Sequence, residues 1–176
     1  MRKKVVLFLI TLLLISYSFG QNVGFEFGIN FFKPSHSGFT IQNGTTFSIE
    51  WGIDKDVSFG ISNENTILSH TDIVGITRTG QLSITGILIK KKVIEGIVVG
   101  LNLGSGSATI TNTITRPVVD IVGSAILLSR KTDKLTGTLS ATVASRFMNT
   151  QGLQAGPTNI SDLNGVNFSV SVSIEF

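Results

Sequence analysis

The last eleven residues of the chain allow one local structure. Between residues 166 and 176 the apolar Val166, Phe168, Val170, Val172, Ile174 and Phe176 alternate without a fault with Asn167, Ser169, Ser171, Ser173 and Glu175. Only an extended strand turns a period of two into two chemically distinct faces. One such strand cannot cover its own apolar face, so the pattern demands partners.

The partners lie upstream. Val23, Phe25, Phe27, Ile29 and Phe31 alternate with Gly24, Glu26, Gly28 and Asn30. Over residues 45–54, Phe47, Ile49, Trp51 and Ile53 oppose Thr46, Ser48, Glu50, Gly52 and Asp54, and Val57, Phe59 and Ile61 form a shorter third segment. The fourth is blurred: Leu82, Ile84 and Leu88 alternate with Ser83 and Thr85, but Ile87 and Ile89 break the rule. A fifth sets Ile97, Val99, Leu101 and Leu103 against Gly96, Gly100, Asn102 and Gly104, and a sixth sets Val119, Ile121, Ala125 and Leu127 against Asp120 and Ser124, with Val98, Val122 and Ile126 as exceptions. In the seventh, Leu135, Leu139, Ala141, Val143 and Phe147 face away from Thr136, Thr138, Ser140, Thr142 and Arg146. With the C-terminal segment this makes eight strands of about ten residues, an even number, as a closed antiparallel barrel requires.

Connection lengths sort by end. Residues 54–56, the lysines at 90–92 and residues 129–134 form short turns, whereas 33–44, 63–80, 104–118 and 148–164 form long connections rich in Gly, Asn, Ser and Thr. Short turns at one end and long loops at the other describe an all-β, up-and-down transmembrane barrel rather than a soluble sandwich. The faces agree. Eight strands enclose a narrow interior, which Phe25, Phe27, Phe31, Phe47, Trp51, Phe59 and Phe168 would overfill but Gly, Ser and Thr fit. The apolar set is therefore expected to meet lipid.

Charge narrows the function classes. Charged residues make up 14% of the chain, against about 25% in ordinary globular proteins. Of the 14 Lys and Arg, three (Arg2, Lys3 and Lys4) precede an apolar run over residues 5–19, so the remainder equals the 11 Asp and Glu. A neutral chain with a single basic run, Lys90 to Lys92, is no nucleic-acid binder. The basic start, the apolar run, and Ser18 and Gly20 before Gln21 read as a secretory signal over residues 1–20, cleaved after Gly20 to leave a domain over 21–176. With no Cys anywhere, an exported chain must be held together without disulfides.

These residues resemble the small outer-membrane β-barrel proteins, the group of the OmpX-like proteins and the membrane domain of OmpA, over essentially all of residues 21–176. Phe176, with Phe168, Val170, Val172 and Ile174, is similar to the C-terminal signal read by the outer-membrane assembly machinery. The resemblance implies an outer-membrane location, both ends of residues 21–176 in the periplasm, and four loops outside. It also implies outer-membrane lipid, the assembly machinery and periplasmic chaperones as partners, and no cofactor. Tyr17 lies in the signal and Trp51 is the single Trp, so the aromatic girdles would be built mostly of Phe.

Candidate chemistry sits on the polar faces. If the first hairpin pairs Phe32 with Gly44, Glu26 and Glu50 stand opposite each other. They would then either form an acid pair able to hold a cation or each find a base on another strand. Arg146 is the one basic residue placed clearly inside, and Asp120 on the neighbouring strand is its expected partner. No metal is expected at either place. His36 beside Ser37, and His70 beside Thr71 and Asp72, are the only sets from which a Ser/His/Asp hydrolase could be assembled. Three readings compete: a structural or surface-interaction barrel without catalysis, a narrow passive channel, and a lipid hydrolase using the loop histidines.

Overall fold

The structure is a computed structural model that describes residues 22–133 and 135–176; the expected signal segment lies outside them. Eight strands close into one antiparallel barrel in the order β1-β10-β7-β6-β5-β4-β3-β2. They are β1 (Val23–Pro34), β2 (Gln42–Gly52), β3 (Val57–Thr71), β4 (Thr77–Ile94), β5 (Ile97–Thr109), β6 (Thr113–Lys131), β7 (Thr136–Phe147) and β10 (Gly165–Glu175). Between β7 and β10 a hairpin, β8 (Asn149–Ala155) and β9 (Thr158–Asp162), forms its own two-stranded sheet.

Hydrogen-bonded register fixes the shape. Partners traced once round the wall run Gly24, Glu50, Gly60, Leu88, Asn102, Asp120, Arg146, Gly165 and back to Pro34 on β1. The path returns ten residues along the strand from which it left. For eight strands that stagger corresponds to a tilt of about 40° and an interior that side chains can fill.

The faces are those of a barrel turned outward. Phe27 and Val172, 62% and 53% exposed, stand in an outer belt with Ile29, Ile61, Ile87, Val99, Leu103, Ile121, Val143, Phe168 and Ile174. Asn30, Ser48, Glu64, Asn102, Asp120, Ser124, Arg146 and Ser171 are buried inside. Water would not tolerate such a belt, and a bilayer requires it.

Four expectations need correction. The first hairpin pairs Phe32 with Gln42, two residues from the expected register, so Glu26 faces Ser48 and Glu50 faces Gly24. The lysines at 90–92 are not a turn: β4 continues to Ile94, and the chain reverses at Glu95 and Gly96. The segment expected as a loop over 63–80 is mostly strand, because β3 runs on to Thr71 and β4 starts at Thr77. Likewise β5 and β6 extend to Thr109 and from Thr113, leaving three residues between them. Beyond the lipid, both faces of a strand can be polar, so alternation fades while the ladder continues.

The blur of the fourth segment has a structural cause. Leu82 and Ile84 point inward near the outer mouth, whereas Ile87 and Ile89, farther down β4, point outward into the belt. The apolar face of this strand changes side part-way along. Sequence periodicity alone cannot show two different solvents along one strand.

Candidate functional site: the barrel interior and its outer mouth

Three layers fill the interior. Nearest the end that carries the short turns and the C-terminus, Lys90 on β4 donates from Nζ to Glu26 Oε2 and Glu50 Oε1, both at 2.7 Å. Ser48 and Ser58 donate to the two oxygens of Glu50 at 3.0 and 3.1 Å, and Ser171 donates to Glu26. Lys90 can reach across because Gly100 opposite it on β5 has no side chain: a Cβ there would lie 2.7 Å from the Ile89 carbonyl oxygen and 3.2 Å from Lys90 Cγ. A cavity of about 250 Å³ runs from these charges toward the short-turn end, lined by Ser124, Ile126, Thr138, Ser140 and Ser173 among others.

The middle layer is centred on Arg146. Its Nη1 and Nη2 donate to the two oxygens of Glu64, each at 2.7 Å, and its Nε and Nη2 donate to Asp120 at 2.9 and 3.0 Å. Its guanidinium carbon lies 4.8 Å from the centre of the Phe32 ring. Glu64 also accepts from Thr66 at 2.8 Å and Asn167 at 3.0 Å, and Asn102, which donates to Asp120 at 3.4 Å, accepts from Ser62. Bidentate geometry to one acid and a second fork to the other is what guanidinium provides and ammonium does not. A smaller cavity of about 90 Å³ separates this layer from Lys90.

Above Arg146 the interior becomes apolar. Phe32, Phe39, Leu68, Leu82, Ile84, Ala108, Val118, Met148, Leu153, Ala155, Ile160 and Leu163 form one buried cluster. The β8–β9 hairpin supplies Leu153, Ala155 and Ile160 to this plug. It is moored to the β5–β6 turn: Thr111 N donates to Gln154 O at 2.9 Å, Gln154 N to Asn112 Oδ1 and Asn112 Nδ2 to Gly152 O, both at 2.8 Å. The outer mouth is sealed by a small hydrophobic core.

Of the residues singled out from sequence, the structure brings Asp120 and Arg146 into direct contact and joins Glu26 to Glu50 through Lys90. Arg146 is therefore not the only basic group inside. Glu64 and Lys90 escape sequence reasoning, the first because its segment reads as loop and the second because its segment reads as turn. The parity of Ser58, Gly60 and Ser62, continued up β3, is the signal that would have placed Glu64 inside.

At the rim, His36 and His70 have ring centres 6.1 Å apart, and the Phe39 ring lies 5.0 Å from His70. His36 Nδ1 lies 2.8 Å from the Ser37 carbonyl oxygen, not its hydroxyl. Asp72 is engaged elsewhere, accepting from Arg78 Nη1 at 2.8 Å. That Arg78 bond, with the Ile76 and Val74 amides, holds the Asp72 carboxyl below its ordinary value. The ordering it gives the turn is complete above the usual carboxylate range and lost as pH falls through the lowered value. No nucleophile, base and acid line up in this group.

The lower layer allows a direct test. Lys90→Met leaves Glu26 and Glu50 facing each other, and because the cavity admits water the expected cost is about 1–3 kcal/mol. Glu50→Gln leaves one matched pair and should change stability by no more than about 1 kcal/mol. Urea titration of the lipid-reconstituted protein ranks the two; a larger loss for Glu50→Gln would reverse the assignment of Lys90 as the shared partner.

No family model matches the sequence, and no curated protein matches it either. Solved structures do. Neisserial surface protein A aligns with a TM-score of 0.57 at 10% identity, covering 89% of this chain and 96% of that one. The attachment invasion locus protein Ail of Yersinia pestis, in complex with the heparin analogue sucrose octasulfate, gives 0.50 at 10% identity over 89% and 97%. The outer membrane protein OprG of Pseudomonas aeruginosa gives 0.50 at 7% identity over 88% and 95%. At such identities the likeness is one of fold, and the fold is that of the small eight-stranded antiparallel barrels of outer membranes.

Proposed function

We propose that the protein resides in an outer membrane as a closed barrel, with a structural role or one of surface contact through its outer turns, and neither conducts nor catalyses. The observation that carries this reading is the plug. Twelve buried apolar residues contributed by five strands, a rim loop and the β8–β9 region close the outer mouth, and Arg146 with its two acids fills the bore beneath. A path for hydrated solutes would have to cross an apolar seal and then displace a fully paired guanidinium.

The belt supports membrane residence, since closure satisfies the backbone within each wall and leaves no edge in lipid. Before closure, β10 presents an unpaired edge and the outward row Phe168, Val170, Val172 and Ile174, joined by Phe176, whose amide bonds Val23 O at 3.0 Å. An exposed apolar edge strand is what chaperones and an assembly machinery would need to hold. The Yersinia relative in fold was crystallised with a polysulfated sugar analogue. Here Arg78 is neutralised by Asp72, while Arg116 and Lys33 donate to carbonyl oxygens, Gln151 O at 3.1 Å and Phe39 O at 2.6 Å, and keep their charge. Those two cations stand on β1 and β6, which are not neighbours in the wall, and make no cluster that favours a polyanion as partner.

Protein purified from outer-membrane fractions and placed in planar bilayers should show no stepwise conductance, and liposomes carrying it should not swell in sugars. Ready sugar flux, or recovery of the protein as a soluble periplasmic monomer, would overturn the reading.

A further inference from the structure

The turn between β3 and β4 is unlike the rest of the outer surface. Ile73 is 103% exposed, Val74 73% and Ile76 51%, three aliphatic side chains side by side on a four-residue tip. Ile67, 57% exposed, is the last outward-facing apolar residue on β3, and Ile73 lies six residues beyond it. At ~3.3 Å per residue and a tilt near 40°, the tip stands about 15 Å above the last apolar residue of the barrel wall on this strand. Its own lipid cannot cover it.

Most amide hydrogens of the tip are bonded within it. Val74 N and Ile76 N donate to Asp72 Oδ1 at 3.1 and 2.9 Å, Gly75 N donates to Asp72 O at 3.0 Å, and Asp72 N donates to Ile76 O at 3.0 Å. Gly75 takes the positive φ, 81°, that closes the turn. Asp72, with its side chain 2% exposed, is neutralised by Arg78 at 2.8 Å, and the hydroxyls of Thr71 and Thr77 bond each other at 2.9 Å just below. Lowering the apolar side chains into the interfacial region of a bilayer would therefore strand neither the Val74, Gly75 and Ile76 amides nor an unpaired charge, and leaves the remaining backbone groups of the tip to the lipid headgroups.

We propose that Ile73, Val74 and Ile76 form a membrane-contact tip that inserts into an uncharged lipid bilayer facing the outer end of the barrel. This rests on the surface-contact reading and names its partner. A protein pocket fits the tip less well, because the side chains at 73, 74 and 76 are all aliphatic and the Thr71 and Thr77 hydroxyls beside them bond each other, whereas specific protein interfaces depend on free polar groups to set register. Charge balance at Asp72 and Arg78 points to zwitterionic lipid, so salt should not weaken the contact.

The test uses the full barrel in nanodiscs mixed with phosphatidylcholine vesicles and separated by flotation, with empty nanodiscs as control. Wild-type barrels should float with the vesicles in low and high salt alike. The variant Ile73→Ser/Val74→Ser/Ile76→Ser, whose changed side chains are all more than half exposed, should keep heat-dependent gel mobility and lose at least about tenfold in vesicle affinity. Wild-type protein that stays with the empty-disc control, equal flotation of the variant, or release by salt would each overturn the proposal. Adhesion of cells displaying the barrel separates this from the broader reading. If shortening all four outer connections abolishes adhesion and the triple serine variant does not, surface contact stands and the tip assignment falls; if neither matters, both fall.

Discussion

Arg146→Met should cost about 3–5 kcal/mol, because it removes the cation and leaves two buried carboxylates facing each other. Arg146 is 1% exposed, and the side chains of Glu64 and Asp120 are 10% and 5% exposed, so water cannot take over its role. The methionine fills much of the volume and keeps the contact with Phe32, which confines the loss to charge and hydrogen bonds. The measurement is urea unfolding of the protein in lipid, followed by gel mobility with and without heating. Adding Glu64→Gln and Asp120→Asn should restore most of the loss, since a neutral amide set has no repulsion to relieve. Arg130→Met, at the exposed short-turn end of β6, should stay within about 0.5 kcal/mol of wild type. An unchanged midpoint for Arg146→Met would mean that the cluster does not hold β3, β6 and β7 together.

Val172→Arg against Val74→Arg separates lipid from water as the medium around equally ordinary valines. Both are exposed, at 53% and 73%. Val172 pairs with Phe27 and Leu139 in the belt, whereas Val74 sits on the β3–β4 turn. A charged side chain on the lipid face near the midplane costs about 2–4 kcal/mol, and on a water-exposed turn almost nothing. Folding yield and stability in phosphatidylcholine bilayers should fall for the first variant only. Equal behaviour would contradict the position of the belt.

Where one strand meets one medium, the sequence was transparent. β10 faces lipid on one side and a hydroxyl-lined lumen on the other along its whole length, and its alternation shows both. β4 passes from plug to belt, so Leu82 and Ile84 belong inside and Ile87 and Ile89 outside, and no single parity describes it. Asp120 and Arg146 were legible as partners because each is the lone charge on an otherwise clear inner face. Lys90 was not, since three consecutive lysines suggest a solvated turn, and only the cross-strand space left by Gly100 reveals that the first of them reaches inside. The two-residue error in the first hairpin preserved every face assignment while moving Glu26 off Glu50, as a slip by an even number must. The β8–β9 hairpin was hidden in a connection whose apolar residues, Leu153, Ala155, Ile160 and Leu163, are spaced too unevenly to suggest a pair of strands.

The plug gives the two ends of the barrel different thermodynamics. Its apolar residues are withdrawn from water, so opening the mouth hydrates hydrocarbon and carries a positive heat-capacity change. The belt contributes little of this kind, because its side chains pass from one hydrocarbon environment to another. Cooling weakens the first contribution and leaves the second largely untouched. The outer mouth is accordingly the part of the molecule whose closure depends on temperature in the manner of a small soluble protein, set on a wall that behaves as part of the membrane.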